Sequence, residues 1–180
     1  MYFETARLIL RKPELADVGE YLEFVNSEFV QRYNAMSPVT REKAERAFAN
    51  AEEDYSIIAM ESKADQKLIG MIFTQEDSLR YGVESKEFSY FLREEEARKG
   101  YMKEALRALI DHFFGEKQLA CVAARSFAPN TASRRLLESL GFRQEGVVRK
   151  CVKGYRDTVF DDCLYSLLYE DWQERRNNLP

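Results

Sequence analysis

Cysteine and histidine are too scarce in this chain to build a metal centre or a disulfide framework. Cys121, Cys151 and Cys163 are widely spaced with no CxxC pair, and His112 is the only histidine. No residue set therefore points to a metal, and three unpaired cysteines suit a reduced, cytoplasmic setting. Long apolar runs are missing as well: none approaches the ~18 residues that a membrane helix needs. The first residues, Met1 to Arg7, lack the charged-then-apolar pattern of a signal peptide. An excess of basic charge is absent too, with 27 Lys and Arg against 31 Asp and Glu. A net charge of −4 argues against broad binding to nucleic acid or to an anionic membrane. With no repeat, low-complexity tract or Pro/Gly-rich linker, residues 1–180 read as one domain, large enough for a core of its own.

What is present is a change of period along the chain. Ala6 to Lys12 reads as a strand, and Pro13 stands at a natural first helical position before Leu15, Val18, Tyr21, Leu22 and Val25. Ser27 to Pro38 reads as a loop or broken helix, and Thr40 as the N-cap of a helix through Ala44, Ala47, Phe48 and Ala51. Tyr55–Met60, Lys67–Thr74 and Glu87–Leu92 suggest an antiparallel meander. After Gly100, apolar residues at Met102, Ala105, Leu106, Leu109, Ile110, Phe113 and Phe114 repeat every three or four positions, closed by Gly115, with His112 expected on the solvated face. Leu119–Ser126 reads as a buried strand. Asn130 then caps a helix with Leu136, Leu137 and Leu140 inward and Gly141 past its end. Gly146–Val152 and Thr158–Leu168 form a hairpin about Lys153-Gly154. The order predicts a mixed α/β layer with a largely antiparallel sheet.

Two short segments could carry chemistry. Ala97-Arg98-Lys99-Gly100-Tyr101-Met102-Lys103 puts two cations and a glycine before the best helix, as a diphosphate cradle would, and as an ordinary strand-to-helix turn would too. Asn130 and Ser133 have N-cap and N3 spacing, which serves simple capping or the presentation of a second helix N-terminus to a ligand.

Five phrases carry a resemblance over nearly the whole chain. These are Thr5-Ala6-Arg7-Leu8-Ile9-Leu10-Arg11, Glu87-Phe88-Ser89-Tyr90-Phe91-Leu92, Gly100 to Leu106, Asn130 through Gly146, and Asp161 to Leu167. In this order and spacing the chain resembles the GCN-five-related N-acetyltransferase (GNAT) superfamily, in particular the bacterial ribosomal-protein N-terminal (Rim-type) subgroup. The resemblance implies an acyl-CoA N-acyltransferase fold, with strands around Glu87–Leu92 and Leu119–Ser126 splaying apart. Acetyl-CoA would pair its pantetheine arm with backbone near Phe91 and Leu92. Its diphosphate would rest on Arg98, Lys99, Gly100, Tyr101, Met102 and Lys103, and Asn130 and Ser133 would face the pantetheine and thiol end. Ala97 and Met102 depart from the family's usual glycine loop, and Leu137 replaces a tyrosine acid common among relatives.

The chemistry implied is direct attack of an amine on the thioester, with Glu87 as base, itself or through water, and Ser133 as the acid or donor to sulfur. A solvent-facing strand carboxylate and a plain cap are the alternative roles of these two residues. Cys121, in an apolar strand, reads as structural rather than nucleophilic. The acceptor would be a ribosomal or other protein N-terminus, or a small amine. The rival reading is a catalytically silent acetyl-CoA-binding regulatory module, and a third is a pure protein-interaction domain. Oligomeric state does not follow from the sequence, and a homodimer is among the forms it allows.

Overall fold

The computed structural model describes residues 2–51 and 55–177. Among the described residues, eight strands and six helices form a mixed α/β arrangement whose sheet runs in the order β1 (Phe3–Glu4), β2 (Leu8–Arg11), β3 (Ile57–Ser62), β4 (Leu68–Glu76), β5 (Ser85–Leu92), β6 (Cys121–Phe127), β8 (Val159–Leu168), β7 (Arg143–Lys153). Strand β5 runs parallel to β6, whereas β1–β2, β2–β3, β3–β4, β6–β8 and β7–β8 are antiparallel. The chain divides into two compact units: Met1–Thr74 with Ser89–Ala108 and Gly154–Thr158, and Gln75–Phe88 with Leu109–Lys153 and Val159–Pro180.

The first unit holds β1 (Phe3–Glu4), β2 (Leu8–Arg11), α1 (Val18–Val25), α2 (Glu28–Gln31), α3 (Arg41–Ala49), β3 (Ile57–Ser62) and most of β4 (Leu68–Glu76). Its core packs Val18, Tyr21, Phe24 and Val25 of α1 with Val30, Ala44, Phe48, Ala59, Leu68 and Met71. Each of the Val, Leu, Phe and Met side chains contributes about 1.5–3 kcal/mol when fully buried, and each alanine methyl about 0.8 kcal/mol. Pro13 does not open α1. Glu14 is extended (φ −118°), and a 3₁₀ turn, Leu15–Asp17, comes first. The Asp17 carboxylate pulls the chain into that turn by accepting from the Glu14 amide at 2.7 Å and from both terminal nitrogens of Arg11, each at 2.7 Å. Leu15 is consequently exposed rather than on the buried face. Ser27 caps the short α2 inside the segment read as a loop or broken helix. Thr40 caps α3 as expected, its hydroxyl accepting from the Lys43 amide at 3.3 Å.

The second unit holds β6 (Cys121–Phe127), α5 (Thr131–Leu140), β7 (Arg143–Lys153), β8 (Val159–Leu168) and α6 (Tyr169–Asn177). It also takes the first half of β5 (Ser85–Leu92) and the second half of α4 (Tyr101–Gly115). The parallel β5–β6 register runs from Ser85↔Cys121 to Phe88↔Ala124, and β5 continues past it to Leu92. Gly141, at φ +101°, occupies the left-handed C-cap of α5 that glycine adopts most readily.

His112 corrects the sequence reading: it is buried, with Nδ1 3.1 Å from a Glu116 carboxylate oxygen and its ring beside Phe113. An i+4 carboxylate gives a polar ring a partner on an otherwise apolar face. Leu136 is only half-buried, unlike Leu137 and Leu140. The terminal helix α6 escaped the sequence reading because its charges run all round it. Trp172 fixes it, donating to Asp111 at 2.7 Å and packing on Phe114.

Candidate active site

In the first unit, β5 ends at Leu92 against β4. Arg93 donates its amide to the Ile69 carbonyl at 2.8 Å, and its guanidinium reaches the Leu68 carbonyl, the Glu20 carbonyl and the Glu20 and Glu23 carboxylates. A Cβ on Gly70 would stand 2.7 Å from the Phe91 carbonyl oxygen, so only glycine permits the approach that places Phe91 and Leu92. The Phe91 ring meets Phe73 edge-on.

From Arg93 the chain makes a 3₁₀ turn over Glu94–Glu96, then an extended Ala97, and enters α4 through two left-handed residues, Arg98 (φ +63°) and Gly100 (φ +86°). Arg98, Lys99 and Gly100 are exposed, while Met102 turns its side chain into the core. Lys99 is engaged by Glu96 at 3.1 Å, and Glu94 and Glu95 face solvent. The Glu104 amide donates to the Gly100 carbonyl at 3.0 Å. The N–H groups of Tyr101, Met102 and Lys103 therefore lie ahead of the helix's own ladder, at the positive end of its dipole.

In the second unit, Glu87 on β5 is paired in register with Ala123 and is only 8% exposed. It is not the solvent-facing strand carboxylate that alternation allowed. Burial pushes its pKa up, opposed by the nearby Arg125 charge and by the Gln75 amide, which donates to it at 3.1 Å. Arg125 is itself bound to the buried Asp162 at 2.9 Å, and burial lifts that carboxyl as well. Asn130 caps α5, its side-chain oxygen accepting from the Ser133 amide at 3.2 Å, and Ser133 is half-buried. Arg134 secures this helix start by donating to the Ala128 carbonyl and to the Tyr165 hydroxyl. Cys121 is 1% exposed, and burial pushes its thiol up to about 11, which suits a structural residue.

The acetyltransferase (GNAT) domain family matches residues 7–143. The chain belongs to that family. Among relatives of this GNAT chain, YnaD of Bacillus subtilis (strain 168), an uncharacterized N-acetyltransferase, is 28% identical over 178 residues, covering 96% of this chain and 99% of its own. The ribosomal-protein-S5-alanine acetyltransferase of Vibrio fischeri matches with a TM-score of 0.82 at 22% identity, over 94% of this chain and 97% of that one. Spermidine N-acetyltransferase from Vibrio cholerae, solved with CoA and spermine, matches at 0.81 and 20%, over 94% and 99%. At such identities the two structures establish the GNAT fold.

GNAT enzymes use acetyl-CoA, and the loop fits its diphosphate: a left-handed Gly100, exposed backbone, and helix-start donors aimed outside the ladder. Sequence reasoning missed Gln75, Arg125 and Asp162, because burial beside Glu87 leaves no trace in local pattern. It also gave Thr5, Arg7 and Glu104 no role, although they stand inside the phrases that carried the family likeness.

Proposed function

We propose that the protein is an acetyl-CoA-dependent N-acetyltransferase that acetylates a primary amine by direct attack. The buried Glu87, held by Gln75 and with its pKa raised by burial, is the observation that carries this reading. Acetyl-CoA supplies a thioester carbonyl for attack and a thiolate leaving group. Phe91 and Leu92 offer backbone to the pantetheine arm, residues 98–103 hold the diphosphate, and Asn130 and Ser133 serve the thiol end. Glu87 takes the proton released as the new N–C bond forms. Ser133 provides a hydrogen bond or proton to sulfur as the C–S bond breaks. The inert, buried Cys121 favours direct transfer over an acyl-enzyme.

The acceptor belongs to the class of protein N-terminal or small-molecule amines, as the names of the S5-alanine and spermidine acetyltransferases suggest. The wider proposal includes the Rim-type subgroup, one catalytic domain over 1–180 and a cytoplasmic setting. The free Cys121, Cys151 and Cys163 agree with that setting. Among the described residues no helix is long and apolar enough to cross a membrane. Leu137, fully buried where relatives carry a tyrosine acid, favours the second reading, a silent acetyl-CoA-binding module. Calorimetric titration with acetyl-CoA, followed by a thiol-release assay over small amines and N-terminal peptides, tests both. Binding with release on one amine class is expected. Binding without release on any amine supports the silent module, and no binding removes the cofactor assignment.

A further inference from the structure

We infer that Arg7 is a positioning residue for the diphosphate loop, gripping it from behind and fixing the direction of the Gly100 N–H. The inference rests on the acetyl-CoA reading above. Arg7 lies just ahead of β2, far in sequence from the loop, and makes three different contacts with it. Its Nη1 donates to the Lys99 carbonyl at 2.9 Å. Its guanidinium lies 4.3 Å over the centre of the Tyr101 ring. Its Nε and backbone amide donate to the two oxygens of the Glu104 carboxylate at 2.7 and 2.8 Å, and the Thr5 hydroxyl donates to that carboxylate as well. The base of the clamp is tied in turn: the Thr5 hydroxyl accepts from the Leu8 amide at 3.1 Å, and Lys63 donates to the Thr5 carbonyl at 2.7 Å.

The consequence follows from peptide planarity. In a trans peptide the C=O and the following N–H point in opposite directions. With the Lys99 carbonyl turned to Arg7, the Gly100 N–H is turned away from it, to the side where an anion can be met without competition from the clamp. Gly100 takes its φ of +86° freely, but Arg98 at φ +63° is a costly backbone state for a residue with a Cβ, which persists only when surrounding contacts over-determine it, and the fork of Arg7 on the neighbouring Lys99 carbonyl supplies such a contact. Arg7 also balances Glu104, whose negative charge one turn into α4 would otherwise oppose a diphosphate at the helix start. Since that pairing spends the guanidinium's charge, Arg7 acts through the shape of the loop. A lysine there keeps a charge but loses the planar fork.

The experiment is calorimetric titration of the wild type, Arg7→Met and Arg7→Lys with CoA, beside turnover of acetyl-CoA and of acetyl-pantetheine, which lacks the diphosphate. Arg7→Met is expected to weaken CoA binding about tenfold, as loss of a charged hydrogen bond does. The KM for acetyl-CoA rises with it, while acetyl-pantetheine turnover stays within about twofold of wild type on the same scale. Arg7→Lys, which keeps the charge beside Glu104, is the variant to rely on if Arg7→Met melts early, and it too is expected to lose CoA affinity selectively. Unchanged CoA affinity, or equal losses on acetyl-CoA and acetyl-pantetheine, would overturn the clamp alone. A wild-type protein that binds no CoA would overturn the acetyl-CoA reading and the clamp with it.

Discussion

Glu87 has to be a carboxylate to accept a proton, yet its surroundings favour the neutral acid. Burial raises its pKa, and the Arg125 charge and the Gln75 hydrogen bond pull it back. Because only the ionised form is a base, activity should rise with pH through a limb lying above the ordinary glutamate range. Removing the opposing cation with Arg125→Met should move that limb to higher pH, and Glu87→Gln should abolish it while lowering kcat by about a hundredfold or more. A pH–rate profile of the three proteins checks both; a limb that survives Glu87→Gln assigns the base elsewhere. The stability effect has its own sign. A carboxyl whose folded pKa is raised favours the native state below its unfolded value, and that favour is lost as pH rises through the folded pKa. Glu104 runs the opposite way. Burial alone would lift it, but the Thr5 hydroxyl and the Arg7 amide and guanidinium hold it below the usual range, so its contribution is lost as pH falls through that lowered pKa.

The capped helix α5 separates local stability from ligand contact. The Asn130 side chain accepts from the Ser133 amide, and Arg134 ties the same turn to the Ala128 carbonyl. Asn130→Ala should cost about 1 kcal/mol in chemical denaturation through loss of the cap. Asn130→Ser keeps a cap, so stability should return close to wild type. If activity with acetyl-CoA stays low in Asn130→Ser, Asn130 touches the ligand; if it returns, Asn130 acts by capping alone. Elements like this were legible because their signals are local: a polar cap, a repeat of three or four, and a glycine at the end. The 3₁₀ entry to α1 was not, because Asp17 is drawn back to Glu14 and Arg11 by side-chain bonds that Pro13 and the apolar spacing do not encode. His112 was misjudged, and the burial of Glu87 was left open, for a related reason. Strand alternation and helix phase say which face a residue takes, whereas burial of that face depends on what packs over it.

For the molecule as a whole, a ligand that binds the native chain and not the unfolded one must raise its stability. Acetyl-CoA at about a hundred times its Kd should add roughly 2.7 kcal/mol. For a chain of this size that is a shift of about 5–10 °C in Tm, read by thermal melting with and without the ligand. A flat response would remove the cofactor reading at this scale. Family membership, the order of the elements other than β1, α2 and α6, and the loop before α4 were set by the sequence alone, because periodicity, caps and ordered motifs are properties of neighbouring residues. Tertiary structure alone decided that Glu87 is buried beside Gln75, that Arg125 is shared with Asp162, and that Arg7 meets Lys99, Tyr101 and Glu104 more than ninety positions away. Those contacts join residues distant along the chain, and only the packing of one element on another brings them within hydrogen-bonding reach.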